Sequence, residues 1–310
     1  MEPAYLQSYQ SGVLAERIEA ALSILECCCL CPRRCEVNRL AGNTGVCQTD
    51  RQAVVSSYSP HFGEEDPLVG SGGSGTIFLA YCNLQCVFCQ NYEISHLGEG
   101  SPVTSAQLAD MMISLQKRGC HNINFVTPTH VVPQILEALP GAIDKGLRLP
   151  LVYNCSGYEE VDTLKLLDGV FDIYMPDFKF WQPDVAEKFC AAPDYPEKAR
   201  AAVKEMHSQV GDLLIDEQGI ACRGLLIRHL VMPEGLAGTR DIMRFLAKEI
   251  STNTYVNIMA QYRPCGEAHR FRELSRALTS DEYRDAVRIA HEEGIHRLDE
   301  RRLVRLFHWL

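Results

Sequence analysis

Cys82-Asn83-Leu84-Gln85-Cys86-Val87-Phe88-Cys89 decides how this chain is read. It places three thiols at spacing C-x3-C-x2-C directly after a β-like run, Thr76-Ile77-Phe78-Leu79-Ala80, with an aromatic before the last thiol. Three clustered thiolates can hold three corners of a [4Fe–4S] cube, which normally takes four Cys, and so leave the fourth iron open to an outside ligand. A zinc knuckle or buried free thiols are the competing readings. Structural zinc usually shows two ligand pairs, and no second pair follows closely here.

Outward from that stretch, strands and helices alternate. Strands are predicted over 76–80, 122–127, 150–154, 171–176, 224–231 and 254–259, all short and rich in β-branched or aromatic residues. Helical patterns fall at 104–118, 131–145, 159–167, 183–209 and 239–250. This alternation implies a parallel sheet with right-handed crossovers. Six units are too few for a complete eight-stranded barrel. Gly70-Ser71-Gly72-Gly73-Ser74-Gly75 matches G-x-G-x-x-G, but it precedes a strand where the dinucleotide motif must follow one. It is read as the turn admitting the first barrel strand. An amphipathic helix is expected over 12–26, and a charged helical tail from about 265 that includes Ser280 to Glu293.

The chain has 310 residues, 46% apolar and 23% charged, enough for a large core. A net charge of −10 argues against a nucleic-acid surface, and no apolar run is long enough to span a membrane. Fourteen Cys without an apolar leader read as metal binding in a reducing cytoplasm. A loop rich in Cys, Pro and Gly carries Cys28, Cys31, Cys35 and Cys47, four thiols at C-x2-C-x3-C-x11-C. They are expected to bind a second centre, either an iron–sulfur cluster or zinc, with Cys27 and Cys29 as spares. Cys120, Cys155, Cys190, Cys222 and Cys265 lie singly and are expected to be buried hydrophobes, with Cys155 in a ligand-facing turn.

In α/β barrels, ligand-handling residues project from strand C-termini. Here those ends read Cys82, Cys86 and Cys89; Thr127 to His130; Asn154 to Tyr158; Asp177 and Lys179; Arg228 and His229; and Gln261 to Arg263. Any one of these could be a satisfied core polar group or a helix cap, as Thr129 could be. Their recurrence at every strand exit is the informative point.

With these residues the chain resembles the radical S-adenosylmethionine (SAM) superfamily, whose motif is the same Cys spacing with an aromatic before the third Cys. It is most similar there to the branch of the pyruvate formate-lyase activating enzymes, and within it to uncharacterised iron–sulfur relatives with an N-terminal Cys module. Asn154-Cys155-Ser156-Gly157 matches that branch's Asp-Thr-Asn-Gly turn, and Met175-Pro176-Asp177-Phe178-Lys179 its Met-Leu-Asp-Leu-Lys stretch. Arg228 matches an Arg on a later strand, and Met259 to Pro264 the end of the last strand. The turn's Asp and the last strand's His are missing, so a carboxylate-bound cation and a His contact are not carried over.

The resemblance implies a partial (β/α)6 barrel at 66–264, flanked by an N-terminal helix and Cys module (1–65) and a C-terminal helical extension (265–310). It implies a [4Fe–4S] cluster on Cys82, Cys86 and Cys89, with SAM chelated at the open iron. Phe88, Asn154, Ser156, Asp177 and Arg228 are the cofactor-contact candidates: Phe88 at the adenine, Asn154 and Ser156 at the ribose or methionyl group, Arg228 at a carboxylate. The expected activity is reductive cleavage of SAM by a one-electron donor such as flavodoxin or ferredoxin, followed by hydrogen abstraction. The substrate is either the glycine of a partner enzyme or a small molecule or other protein. An iron–sulfur electron-transfer or metal-binding protein without radical chemistry is the reading from a different class.

Overall fold

The computed structural model describes residues 1–299. Nine strands form one sheet: β1 (Ala53–His61), β2 (Ser74–Leu79), β3 (Ser101–Val103), β4 (Ile123–Val126), β5 (Leu151–Cys155), β6 (Ile173–Pro176), β7 (Leu214–Ile215), β8 (Ala221–Leu230) and β9 (Tyr255–Met259). β2, β4, β5, β6, β8 and β9 pair in parallel in that order and are the six strands expected from the sequence. The fold is therefore a partial (β/α)6 barrel. Three strands unforeseen in the sequence pair antiparallel: β1 lies on the free edge of β2, β3 on β1, and the two-residue β7 on β8. The arc thus stays open instead of closing on β9. β1 reads Ala-Val-Val-Ser-Ser-Tyr-Ser-Pro-His, with a polar, half-exposed second half, so it lacks the apolar signature of its neighbours. Residues 53–61, expected in the N-terminal module, belong to the sheet.

Barrel helices appear where the periodicity puts them, including Ser105–Lys117, whose Thr104 and Gln107 form a reciprocal capping box. One expectation is corrected. The single helix over 183–209 is two helices, Pro183–Cys190 and Tyr195–Val210. Ala191 turns left-handed at φ 49°, and Pro193 and Pro196 bar continuous helix through the junction. The helix expected over 239–250 runs as Thr239–Phe245 and closes in a π turn, Leu246–Ile250. In the tail, Ser280–Glu292 is helical, and residues 300–310 of the expected extension lie outside the described residues. No described helix is long and apolar enough to cross a membrane.

The N-terminal helices position the Cys module. Tyr5 OH donates to the Leu149 carbonyl and Ser8 Oγ to that of Gly169, both just before barrel strands. Val13–Ser23 then packs against Val132–Asp144 on the barrel's outside and leads to the thiol loop near the strand ends. Inside the barrel, Val152, Ile173, Met175 and Leu226 pack with Leu68 and Tyr255, an apolar floor beneath the strand exits.

Candidate cofactor site

A cavity of about 170 Å³ opens at the C-terminal ends of the parallel strands. Cys82, Cys86, Cys89, Phe88, Asn154, Ser156, Asp177 and Arg228 all border it. The structure thus brings together residues that the sequence spreads over 147 positions, Cys82 to Arg228, counted inclusively. The cluster loop leaves β2 through Tyr81 and turns again at Gln85, both left-handed, with φ of 66° and 56°. Such conformations cost backbone energy and persist where the surroundings fix them.

Each thiol has a defined environment. The Leu84 N–H donates to Cys82 Sγ at 3.4 Å, and Ser95 Oγ donates to Cys89 Sγ at 3.1 Å. Burial pushes the Cys82 thiol up to about 12 and raises that of Cys89. Burial thus disfavours the thiolate form, and a cluster bound there would offset that cost and release protons as it binds. Among the described residues, no three His, Cys, Asp or Glu side chains close round a single metal ion. A cube spreads its thiolates over separate irons, so the triad meets that demand without doing so.

Asn154 supplies the clearest sign of a ligand. It is 2% exposed, borders the cavity, and its Nδ2 has no partner, where a buried donor would ordinarily be paired. A ribose hydroxyl or methionyl carboxylate would satisfy it. The turn that carries it depends on Gly157 at φ 78°, where a Cβ would lie 2.3 Å from the Asp177 carbonyl oxygen. The same turn is held by Tyr195, whose hydroxyl lies 3.0 Å from the carbonyls of both Ser156 and Asp177. The three thiols, the unpaired Asn154 donor and this glycine-dependent approach fit a [4Fe–4S] cluster with SAM.

Asp177 and Arg228 border the cavity and are paired with each other. Arg228 Nε donates to Asp177 Oδ1 at 2.7 Å, its Nη1 lies 3.7 Å from Glu64, and Lys179 donates to the other Asp177 oxygen. Burial alone would push the Asp177 carboxyl up, but Arg228 and Lys179 outweigh it and hold it down to about 2. These charges are matched within the cavity wall, with the Arg228 Nε bonded to Asp177. Phe88 meets Phe180 and Tyr262 edge-on, at centroid distances of 5.7 and 6.2 Å, which fixes its ring at the cavity border.

Cys190 departs from its expected isolation. Its thiol lies 3.3 Å from Cys86 Sγ, and this contact, ahead of burial, raises the Cys86 thiol. No sequence signal joins residues 104 positions apart. In air and without a cluster, Cys86 and Cys190 are expected to form a disulfide, losing two electrons and two protons to dioxygen. Non-reducing peptide mapping would show the linked peptides, and Cys190→Ser would remove them; unmodified thiols throughout would refute the pairing.

Beneath the turn, Glu159 is buried and accepts from Thr129 Oγ1 at 2.6 Å and Tyr153 OH at 3.0 Å. Burial raises its carboxyl to about 7, although these hydroxyls pull the other way. Its folded value exceeds the unfolded one, so the native state holds this proton longer and loses stability as pH rises from about 4.3 towards 7. Glu159→Gln is expected to flatten that fall by about 1–3 kcal/mol. Denaturant midpoints measured across the window would check this, and an unchanged slope would contradict it.

A cavity at the barrel's strand ends, rimmed by C-x3-C-x2-C and carrying an unpaired donor opposite, defines a barrel protein built around an incompletely ligated iron–sulfur cluster. Comparison with known proteins agrees: the model of the radical SAM superfamily matches residues 76–214. The uncharacterized protein MJ0674 of Methanocaldococcus jannaschii is 33% identical over 300 residues, covering 94% of this chain and 82% of that protein. The chain belongs to the radical SAM superfamily. Among solved structures it is similar to HydG, a maturase of the [FeFe]-hydrogenase, at 11% identity and a TM-score of 0.46 over 72% of this chain and 49% of that one. It is also similar to methylornithine synthase (PylB), at 14% identity and a TM-score of 0.43 over 70% and 62%. The chain spans about half the length of the first of these structures.

Proposed function

We propose that this chain cleaves SAM reductively and uses the product to abstract hydrogen from a glycine in a partner protein, as an activating enzyme does. The observation that carries the SAM part is the unpaired Asn154 Nδ2 in the thiol-rimmed cavity. A cluster held there would supply the one electron with which the C5′–S bond of SAM breaks, giving methionine and a 5′-deoxyadenosyl radical. The chain's own residues do the rest. Cys82, Cys86 and Cys89 hold the cluster, Asn154 and Ser156 orient SAM, and Phe88 walls the adenine side. Asp177, with Arg228 and Lys179 matched to it, braces the turn. The apolar floor of Val152, Ile173, Met175 and Leu226 keeps water away from a reactive carbon centre. Flavodoxin or ferredoxin in the cytoplasm suits the reducing step.

The glycine assignment is favoured by the resemblance of Met175 to Lys179 and of Arg228 to the activating-enzyme pattern. The altered turn, Asn154-Cys155-Ser156-Gly157, favours the second reading, a small molecule or another protein as substrate. Anaerobic incubation with dithionite and SAM should give 5′-deoxyadenosine, and its absence would overturn the reaction. Soluble proteins from cells fed α-deuterated glycine should then transfer deuterium into that product. Unlabelled product in their presence would overturn the glycine assignment and leave the second reading.

A further inference from the structure

Ser95 and His96 stand beside Cys89 in an arrangement that residue spacing does not show. The helical turn Tyr92–Ser95 follows the thiol loop and is tied back to it by the Tyr81 N–H, which donates to the Ile94 carbonyl. Both Ser95 and His96 border the cofactor cavity. Ser95 Oγ lies 3.1 Å from Cys89 Sγ and 2.8 Å from His96 Nδ1. Among the described residues it is the one hydroxyl bonded to a thiol of the triad.

A serine hydroxyl has a single hydrogen to give, and here two acceptors compete for it. A cluster thiolate on Cys89 is one of them, and His96 Nδ1 is the other. The His96 ring bonds the Gln85 backbone carbonyl, which only accepts, so that bond takes the one N–H of a neutral imidazole. A lone pair is then what faces Ser95. Tyr92 stacks on the ring, with centroids 4.2 Å apart and planes 13° from parallel, which holds the imidazole in place.

We propose that Ser95 and His96 together set the reducing power of the cluster: the Ser95 hydrogen is shared between Cys89 Sγ and His96 Nδ1, and the share taken by His96 keeps the cluster a strong reductant. A hydrogen bond to a cluster sulfur offsets negative charge there. The reduced cluster carries one more negative charge than the oxidised one, so it gains more from the bond and the potential rises. A hydroxyl turned to His96 withholds that help. Both side chains act through Cys89, as positioning residues and not as ligands of iron. The inference rests on the cluster and SAM-cleaving reading above.

The test is a potentiometric titration of the anaerobically reconstituted full chain, followed by low-temperature EPR. The signal of the catalytic cluster is the one absent from Cys82→Ala. Ser95→Ala is expected to lower the midpoint, changing the oxidised-to-reduced ratio at a fixed potential about tenfold, or about 59 mV for one electron. His96→Phe keeps an aromatic ring on Tyr92 and removes the competing lone pair, so it is expected to raise the midpoint by a similar factor. The two changes combined should match Ser95→Ala alone, and Ser95→Thr, which keeps the hydroxyl, should stay near the parent. An unmoved midpoint in Ser95→Ala would overturn the bond to sulfur. A fall or no change in His96→Phe would overturn the competition, as would a combined variant above Ser95→Ala. Loss of iron in both Ser95→Ala and Ser95→Thr would make Ser95 a structural support and overturn the proposal too. Midpoints are read without SAM, so an unaltered chain that holds iron yet forms no 5′-deoxyadenosine would overturn the proposed function and leave these shifts to be scored separately.

Discussion

Replacing Cys82, Cys86 or Cys89 by Ala is expected to reduce 5′-deoxyadenosine formation to background, a loss of at least about 1,000-fold, while the protein stays folded. Each thiol holds one corner of a cube that already lacks a fourth protein ligand, so losing one leaves two. No neighbour repairs Cys82 or Cys89. Cys86 has Cys190 at 3.3 Å, so the Cys86→Ala variant gives the sharper test when combined with Cys190→Ala. Folding should survive because these side chains lie at the cavity rim, above the apolar floor. Anaerobic reconstitution, iron analysis and chromatographic detection of 5′-deoxyadenosine make the measurement. Turnover near that of the unaltered protein in Cys82→Ala, in Cys89→Ala or in Cys86→Ala combined with Cys190→Ala would refute the cluster assignment.

Arg33→Ala is expected to cost about 3 kcal/mol of stability and to lower iron loading at the catalytic triad. One guanidinium there donates to four backbone carbonyls, those of Asn83, Leu84, Cys190 and Ala191. It also sits over the Tyr158 ring, 5.2 Å from its centroid. The acceptors lie on the cluster loop and on the break between the two helices, so Arg33 ties both to the N-terminal module. Gln85 adds a bond from the cluster loop back to the Val46 carbonyl. Lys offers a point charge without the planar fork, so Arg33→Lys should recover little. Denaturant midpoint and iron content are the readouts. A Lys variant equal to the parent in both would show that charge alone suffices.

The six parallel strands were legible because buried strands carry apolar, β-branched runs that local composition exposes. β1, β3 and β7 were not, because a half-exposed stretch such as Ser56 to Pro60, or a pairing as short as Leu214–Ile215, has no such run. The break at Ala191 was in principle readable from Pro193 and Pro196, but amphipathic periodicity on both sides hid it. Within the site, motif spacing found the thiols, and position at the strand ends found Asn154, Ser156, Asp177 and Arg228. What stayed hidden is long-range: Cys190 against Cys86, Tyr195 beneath the Gly157 turn, Arg33 across to Asn83, and His130 beside Cys28, Cys31, Cys35 and Cys47, which share one small cavity with it. His130 was noted at a strand exit, yet only the folded chain brings it to those thiols. Such contacts depend on how segments more than 35 residues apart meet, which local pattern does not encode.

The antiparallel strand on the outer edge of β2 has a mechanical consequence. A closed barrel has its girth set by strand number and stagger, and widening it means breaking a ladder somewhere. An arc has two ends, and its girth can change by bending alone while every ladder bond is kept. In this chain the antiparallel pair β1 and β3 ends one side and β9 the other, so among the described residues no strand ladder joins the two flanks. The chamber's width is thus held by the packing of its flanks and not by a closed ring of strands.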